Sequence, residues 1–105
     1  MNKRLEMLEK LIASGNADSF ARYALALEYR KLGRLDDALA QFETLRAADP
    51  TYLAQYLMAG QILLELRRPG DARGWLEQGV ELARSQGDGK ALGELESALE
   101  DALSL

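Results

Sequence analysis

The chain has no cysteine and no histidine among its 105 residues. The first absence excludes disulfides, thiolate nucleophiles and zinc sites with cysteine ligands. The second removes the side chain that most often transfers protons near neutral pH and most often binds a metal. We therefore expect no catalytic residue, no cofactor and no metal site, and we predict that the protein is not an enzyme. The absence of cysteine is compatible with the reducing cytoplasm, where we expect the protein to be located.

Two motifs that resemble sites of chemistry have simpler explanations. Asp36 and Asp37 form a pair of carboxylates, but they fall in the first turn of a predicted helix, where negative charge is favoured by the helix dipole. The segment Gly87-Asp88-Gly89 is too short for a phosphate-binding loop and lacks the lysine that follows one. We predict a helix start for the first motif and a flexible turn for the second.

Long apolar runs and an excess of basic residues are also missing. No run reaches about 18 apolar residues, so we expect no membrane-spanning helix and no membrane partner. The net charge is −4, and residues 1–87 are balanced. The excess therefore lies in residues 88–105, which hold Lys90 against Asp88, Glu94, Glu96, Glu100 and Asp101. Nucleic acid attracts the opposite sign, so we expect no nucleic-acid partner. We predict that these carboxylates form a solvated helix surface, with a docking feature as the alternative.

Apolar residues recur at three- and four-residue spacing along the whole chain, which is typical of amphipathic helices. Glycine, proline and capping residues divide this pattern into six predicted helices. Their approximate bounds are 2–14, 19–32, 35–48, a fourth helix capped by Thr51 and ending near 66, a fifth beginning at Pro69, and a sixth from Asp88 to the end. Links this short make consecutive helices antiparallel neighbours. No linker is long enough to divide residues 1–105 into separate domains.

The pattern of small and large apolar residues occurs twice at a fixed offset. The offset between Ala38 and Ala72 is 72 − 38 = 34, and the same offset relates Phe42 to Leu76. It also relates Ala26 to Gly60, so that small residues stand at equivalent places in two pairs of helices. A small side chain on each helix lets the two approach closely, while large neighbours fill the space beside it. We therefore predict a repeated helix pair.

These residues resemble the tetratricopeptide repeat family, whose 34-residue unit consists of two antiparallel helices. The first unit supplies Leu25-Ala26-x2-Tyr29, Ala38-x3-Phe42 and Pro50, and the second supplies Tyr56-x2-Ala59-Gly60-x2-Leu63 and Ala72-x3-Leu76. Two arginines depart from the family pattern, Arg22 where an aromatic residue is typical and Arg84 where proline is usual.

The resemblance implies an all-α, antiparallel helix-pair solenoid in one domain, residues 1–105. Its repeats are residues 19–52 and 53–86, flanked by an N-terminal helix, residues 1–15, and a C-terminal capping helix, residues 88–105. A terminal helix in such a stack needs one polar face and one apolar face. We expect the apolar face of the last helix to be a buried stripe of Leu92, Leu95, Leu99 and Leu103.

The resemblance also implies a function, that of a non-catalytic adaptor or scaffold. Such a protein binds a peptide or helix of a partner in a mostly apolar concave groove, which the first helix of each repeat lines. In this sequence the groove residues are Phe20, Tyr23, Leu27, Arg30, Leu57, Gln61 and Leu64. Core packing beneath the terminal helices is the alternative interpretation of these side chains. Self-association into a homodimer, through the groove or the last helix, is the alternative function.

Overall fold

The computed structural model describes residues 2–105 of the protein. Within them the chain forms six α-helices and no strand, which confirms the predicted all-α fold class. The helices are α1 (Lys3–Ala13), α2 (Ser19–Lys31), α3 (Leu35–Ala48), α4 (Ala54–Glu65), α5 (Pro69–Gln86) and α6 (Gly89–Leu103). They form two compact units, of which the first holds α1 to α3 and ends at Tyr52. The second runs from Leu53 to Leu105 and holds α4 to α6.

Side-chain caps and a proline fix where four of the helices begin. The side chains of Asn2, Asp18 and Asp88 each accept a hydrogen bond from the backbone N–H three positions later. The donors are Leu5 (3.0 Å), Ala21 (2.8 Å) and Ala91 (3.0 Å) respectively. Each bond satisfies a backbone N–H that has no partner within its helix. α5 begins at Pro69, where the missing amide hydrogen costs little.

The predicted cap of the fourth helix is wrong. α4 begins at Ala54, and no side chain caps it. The Thr51 hydroxyl instead donates to the Asp49 carboxylate over 3.1 Å. The Thr51 hydroxyl thus bonds within the turn that precedes α4.

The repeat is visible in the turns of both units. Arg34 donates to the Asp37 carboxylate over 2.8 Å, and Arg68, at the equivalent place in the second unit, donates to Asp71 over 2.8 Å. Before each arginine the chain enters the left-handed region, at Gly33 (φ +76°) and at Arg67 (φ +59°). Glycine adopts this conformation freely, whereas an arginine there is sterically strained. The second turn therefore carries strain that the first does not.

Replacing Arg67 with glycine is expected to raise the free energy of unfolding by about 0.5–1 kcal/mol, because glycine relieves the left-handed strain. The reciprocal change, Gly33→Arg, is the matched control and is expected to lower it by a similar amount. Chemical denaturation of both variants measures the two shifts. An unchanged or lower stability of Arg67→Gly would show that the turn is not strained.

The core of the first unit forms where α2 and α3 approach each other. Ala26 and Ala38, the two small residues of the repeat pattern, have no exposed surface. Phe42 is equally buried, and its ring centroid lies 6.0 Å from that of Tyr23 on α2. The small residues and the large ring thus occupy the places that the sequence predicted for close helix packing.

Tyr29 connects all three helices of the first unit. Its hydroxyl donates to the Glu9 carboxylate of α1 over 2.7 Å, and the Arg34 guanidinium, just before α3, lies 4.5 Å from the centre of its ring. Burial of the ring and the bond to Glu9 raise the pKa of Tyr29 from 10 to about 12. Both effects favour the neutral phenol over the phenolate.

The raised pKa of Tyr29 predicts a loss of stability in alkali. Because its pKa is higher in the fold, Tyr29 contributes to the free energy of unfolding. This contribution is complete below pH 10, the pKa of an unfolded tyrosine, and is lost as the pH rises towards about 12, the pKa in the fold. Denaturation measured between these pH values should show a steeper loss in the wild-type chain than in Tyr29→Phe. If the free energy of unfolding fell equally steeply with pH in the two chains, Tyr29 would ionise in the fold as it does in the unfolded state.

In the second unit, glycines mark the closest helix approaches. A Cβ atom added at Gly60 of α4 would lie 2.5 Å from Cδ2 of Leu76 on α5. One added at Gly79 of α5 would lie 2.7 Å both from Cδ2 of Leu95 on α6 and from Cβ of Tyr56 on α4. These distances are shorter than carbon atoms tolerate, so a side chain at either position would force its neighbours to shift.

The buried stripe predicted for the last helix is partly wrong. Leu95 is buried, as expected, and Leu92 and Leu99 are half-buried, but Leu103 is exposed over 57% of its surface. The buried positions beside Leu95 are Ala98 and Ala102. α6 presents its small residues to its neighbours, because alanines allow a closer approach than leucines do.

Candidate functional site

The predicted groove residues lie on two helices, one in each unit. Phe20, Tyr23, Leu27 and Arg30 belong to α2, and Leu57, Gln61 and Leu64 belong to α4. Within each helix the residues are three or four positions apart, so they share one face. We call these the α2 face and the α4 face.

The α2 face presents one exposed ring beside a packed one. Phe20 is exposed over 66% of its surface, while Tyr23, Leu27 and Arg30 are half-buried. The ring of Tyr23 is held between Phe42, at 6.0 Å, and Tyr52, at 5.3 Å. α1 and α3 therefore leave the α2 face partly open within the first unit, and its most exposed residue is aromatic.

The surroundings of Tyr23 and of its neighbour Tyr52 raise the pKa of both phenols. Burial, with a smaller effect from Tyr52, raises the pKa of Tyr23, against a lowering effect of Arg30. Burial also raises the pKa of Tyr52, helped by the carboxylates of Asp18 and Asp49. Both phenols are therefore uncharged at physiological pH, and the aromatic part of the α2 face is an apolar surface with polar edges.

The α4 face opens into a recess of about 400 Å³ that α6 completes. Leu57 and Gln61, both half-buried, line it from α4. The residues from α6 are Gly93, Glu94, Ser97, Ala98 and Asp101. Leu57 and Ala98 supply apolar surface, and the other side chains supply polar edges. We call this the α4–α6 recess.

Leu64, the third predicted residue of α4, does not line this recess. It lines a separate one of about 430 Å³, together with Glu65, Arg67, Pro69 and Leu105. The structure thus brings Leu57 and Gln61 together and leaves Leu64 beside the strained turn at Arg67.

The sequence-based prediction did not place α6 residues at the site. Glu94, Ser97 and Asp101 lie on the last helix, whose carboxylates the sequence predicted to form a solvated surface, with a docking feature as the alternative. Their spacing of three and four residues would have placed them on one face of that helix. The pattern could not show that this face borders α4, because the buried stripe of α6 is centred on Ala98 and Ala102 rather than on Leu99 and Leu103.

The part of the chain that the structure describes shows neither a metal-binding cluster nor a membrane-spanning helix. Across residues 2–105, no three acidic side chains are grouped so that they could hold a metal ion. In the same part of the chain, no helix combines the length and the apolar character needed to cross a bilayer. The α2 face presents aromatic and aliphatic carbon, a phenol and the Arg30 guanidinium, and the α4 face presents aliphatic carbon and the Gln61 amide. In the α4–α6 recess, α6 adds the Ser97 hydroxyl and the carboxylates of Glu94 and Asp101.

Comparisons with known proteins agree with this architecture. A family profile described as tetratricopeptide repeat matches residues 29–95. Two structures of a tetratricopeptide repeat domain protein from Salinibacter ruber, one in solution and one in a crystal, share 42% sequence identity with this chain at a TM-score of 0.80. The alignments cover 84% and 85% of this chain, and 89% and 99% of the other. No curated protein matches the sequence.

A third structure extends the similarity over nearly the whole chain. It is the solution structure of a protein from Bordetella parapertussis, with 28% identity and a TM-score of 0.84. The alignment covers 99% of this chain and 90% of the Bordetella protein. The fold described above, including the first and last helices, is therefore shared with that protein.

Proposed function

We propose that this chain, which belongs to the tetratricopeptide repeat family, binds a peptide or helix of a partner protein through its α2 face and its α4 face. The tetratricopeptide repeat fold generally mediates protein–protein interaction and is typically non-catalytic. Stacked helix pairs of this kind offer extended surfaces on which short segments bind. The proposal includes the role of an adaptor or scaffold and the cytoplasmic location expected from the sequence.

One observation carries the proposal, the exposure of Phe20. The chain has two phenylalanines; Phe42 has no exposed surface, while Phe20 is exposed over 66%. Exposed aromatic carbon is unfavourable in water and is a common anchor of protein interfaces, where it becomes buried. Phe20 lies on α2, which Tyr23 packs against Phe42 of α3 and against Tyr52.

The α4 face supports the same proposal from the second unit. Leu57 and Gln61 are half-buried and open to the α4–α6 recess. An aliphatic side chain beside an amide can bury carbon of the partner and direct one hydrogen bond to its backbone. Each face is thus a candidate anchor point for an amphipathic or extended segment.

Charge introduced on the α4 face is expected to abolish partner binding. We propose capture from a lysate of the native host, with the wild-type chain and Leu57→Glu as baits and quantitative mass spectrometry as the readout. Ala40→Glu is the matched control, because Ala40 is exposed on α3, outside both faces. Proteins retained by the wild type and by Ala40→Glu should be lost from Leu57→Glu. Equal retention by all three folded baits would contradict the proposal.

Self-association is a second candidate function, favoured by the end of the chain. Leu103 and Leu105 are exposed over 57% and 78% of their surfaces, and such a patch could pair with its copy around a two-fold axis. Light scattering over a range of concentrations measures the molecular mass in solution and so distinguishes self-association from the binding of a partner. A dimer that Leu103→Glu converts to a monomer would support it, and a monomer at the highest concentration would remove it.

A further inference from the structure

The α4–α6 recess combines the apolar side chains of Leu57 and Ala98 with two carboxylates, and we propose that it receives an arginine or lysine side chain of the partner segment. This inference rests on the proposed function and deepens it, because it states the chemistry of one anchor. The recess is open to solvent and large enough, at about 400 Å³, for a long side chain.

The geometry of α6 aims both carboxylates at the same recess. Glu94, Ala98 and Asp101 are four and three residues apart, so their side chains lie along one face of the helix. All three line the recess, with Leu57 of α4 opposite them. Seven residues of helix separate Glu94 from Asp101 by about 10 Å along the axis, so they stand towards its two ends.

The two carboxylates are not engaged by the protein itself. Across residues 2–105, the side chains of Glu94 and Asp101 form neither an ion pair nor a hydrogen bond. Their neighbour Glu96, which lies outside the recess, is bound to Arg84 at 3.2 Å. The recess is therefore a place where negative charge is available to a partner.

The charge of the second unit favours a cationic occupant as well. Residues 53–105 hold nine acidic and five basic residues, a balance of 5 − 9 = −4, which is the net charge of the whole chain. The field of such a unit attracts cations and raises the rate at which a basic segment meets it. An acidic or phosphorylated segment would be repelled.

The mixed lining selects a side chain that is apolar along its stem and charged at its tip. The methylene groups of arginine or lysine can pack on Leu57 and Ala98 while the charged group reaches a carboxylate. A purely apolar side chain would remove Glu94 and Asp101 from water without replacing their hydrogen bonds. A bare metal ion would need oxygen ligands within about 2.6 Å, whereas the two carboxylates start from helix positions about 10 Å apart.

Selection from a library of random peptides displayed on phage tests the inference on the full chain. Wild-type protein, the double variant Glu94→Gln/Asp101→Asn and Glu100→Gln serve as separate baits. Glu100 is an exposed carboxylate of α6 outside the recess, so its variant changes charge without changing the lining. Peptides selected on the wild type and on Glu100→Gln should carry a basic residue beside apolar ones, and those selected on the double variant should not.

The selected peptide also measures the size of the effect. Replacing its basic residue by citrulline, which keeps the shape of arginine without the charge, should weaken binding to the wild type about two- to fivefold, as expected for exposed ion pairs. The double variant should bind both forms equally. Selection of peptides without a basic residue, or equal weakening in the double variant, would overturn the inference while leaving the proposed function standing. Failure to select any peptide would contradict both.

Discussion

Replacing Phe42 with alanine is expected to lower the free energy of unfolding by about 3–5 kcal/mol. The side chain has no exposed surface, and its ring packs against Tyr23 between α2 and α3. Alanine would remove the buried ring and leave a cavity that the two helices cannot close, since Ala26 and Ala38 already set their approach. A denaturation curve of the variant measures the loss.

Phe20→Ala is the matched control for this prediction. The same atoms are removed, but from a side chain exposed over 66% of its surface, so the free energy of unfolding should stay within about 0.5 kcal/mol of the wild type. Similar losses in the two variants would show that Phe20 belongs to the core and would remove the main support for the α2 face as a binding surface.

Replacing Gly79 with alanine is expected to lower the free energy of unfolding by about 1–3 kcal/mol, the usual cost of overpacking a core. The new Cβ atom would lie 2.7 Å from Cβ of Tyr56 and 2.7 Å from Cδ2 of Leu95. The better helix propensity of alanine offsets this cost only in part. Leu95 could rotate away, but Cβ of Tyr56 is fixed to the backbone of α4, so one helix must move.

Gly74→Ala, in the same helix, is the control. An added Cβ atom there meets nothing within 4 Å, so only the gain in helix propensity remains and stability should rise by about 0.5–1 kcal/mol. Thermal or chemical denaturation of the two variants should therefore give shifts of opposite sign. Shifts of the same sign would contradict the close approach of α4, α5 and α6 at Gly79.

The sequence predicted the helices and their repeat because these depend on local signals. Asp18 and Asp88 cap the helices that follow them, and Pro69 occupies the first position of α5. The small residues Ala26 and Ala38 are buried because the repeat pattern fixes which helix faces meet. These features recur along the chain, and a single sequence is enough to show them.

The sequence did not predict which side of α6 is buried, because this depends on how helices outside the repeat pattern pack against each other. The apolar pattern of α6 contains both leucines and alanines, and the structure shows that Leu95, Ala98 and Ala102 are the buried ones, with Leu95 lying against Gly79 of α5. This orientation of α6 exposes Leu103 and directs Glu94 and Asp101 to the recess beside Leu57.

The left-handed conformation of Arg67 could not be predicted from the sequence either. Glycine marks such a position in the first unit, at Gly33, because it adopts the conformation freely. Nothing in the residue type of Arg67 marks the same conformation in the second unit, so only the structure shows it.

Calorimetric titration of the strongest selected peptide into the wild-type chain, Phe20→Ala, Leu57→Glu and Ala40→Glu tests the central claim most directly. If the α2 face and the α4 face bind the partner segment, Phe20→Ala and Leu57→Glu should each weaken binding about tenfold or more, as loss of an interface anchor does. Ala40→Glu should bind as the wild type does, and all four chains should remain folded. Equal affinities of the four folded chains would contradict the claim.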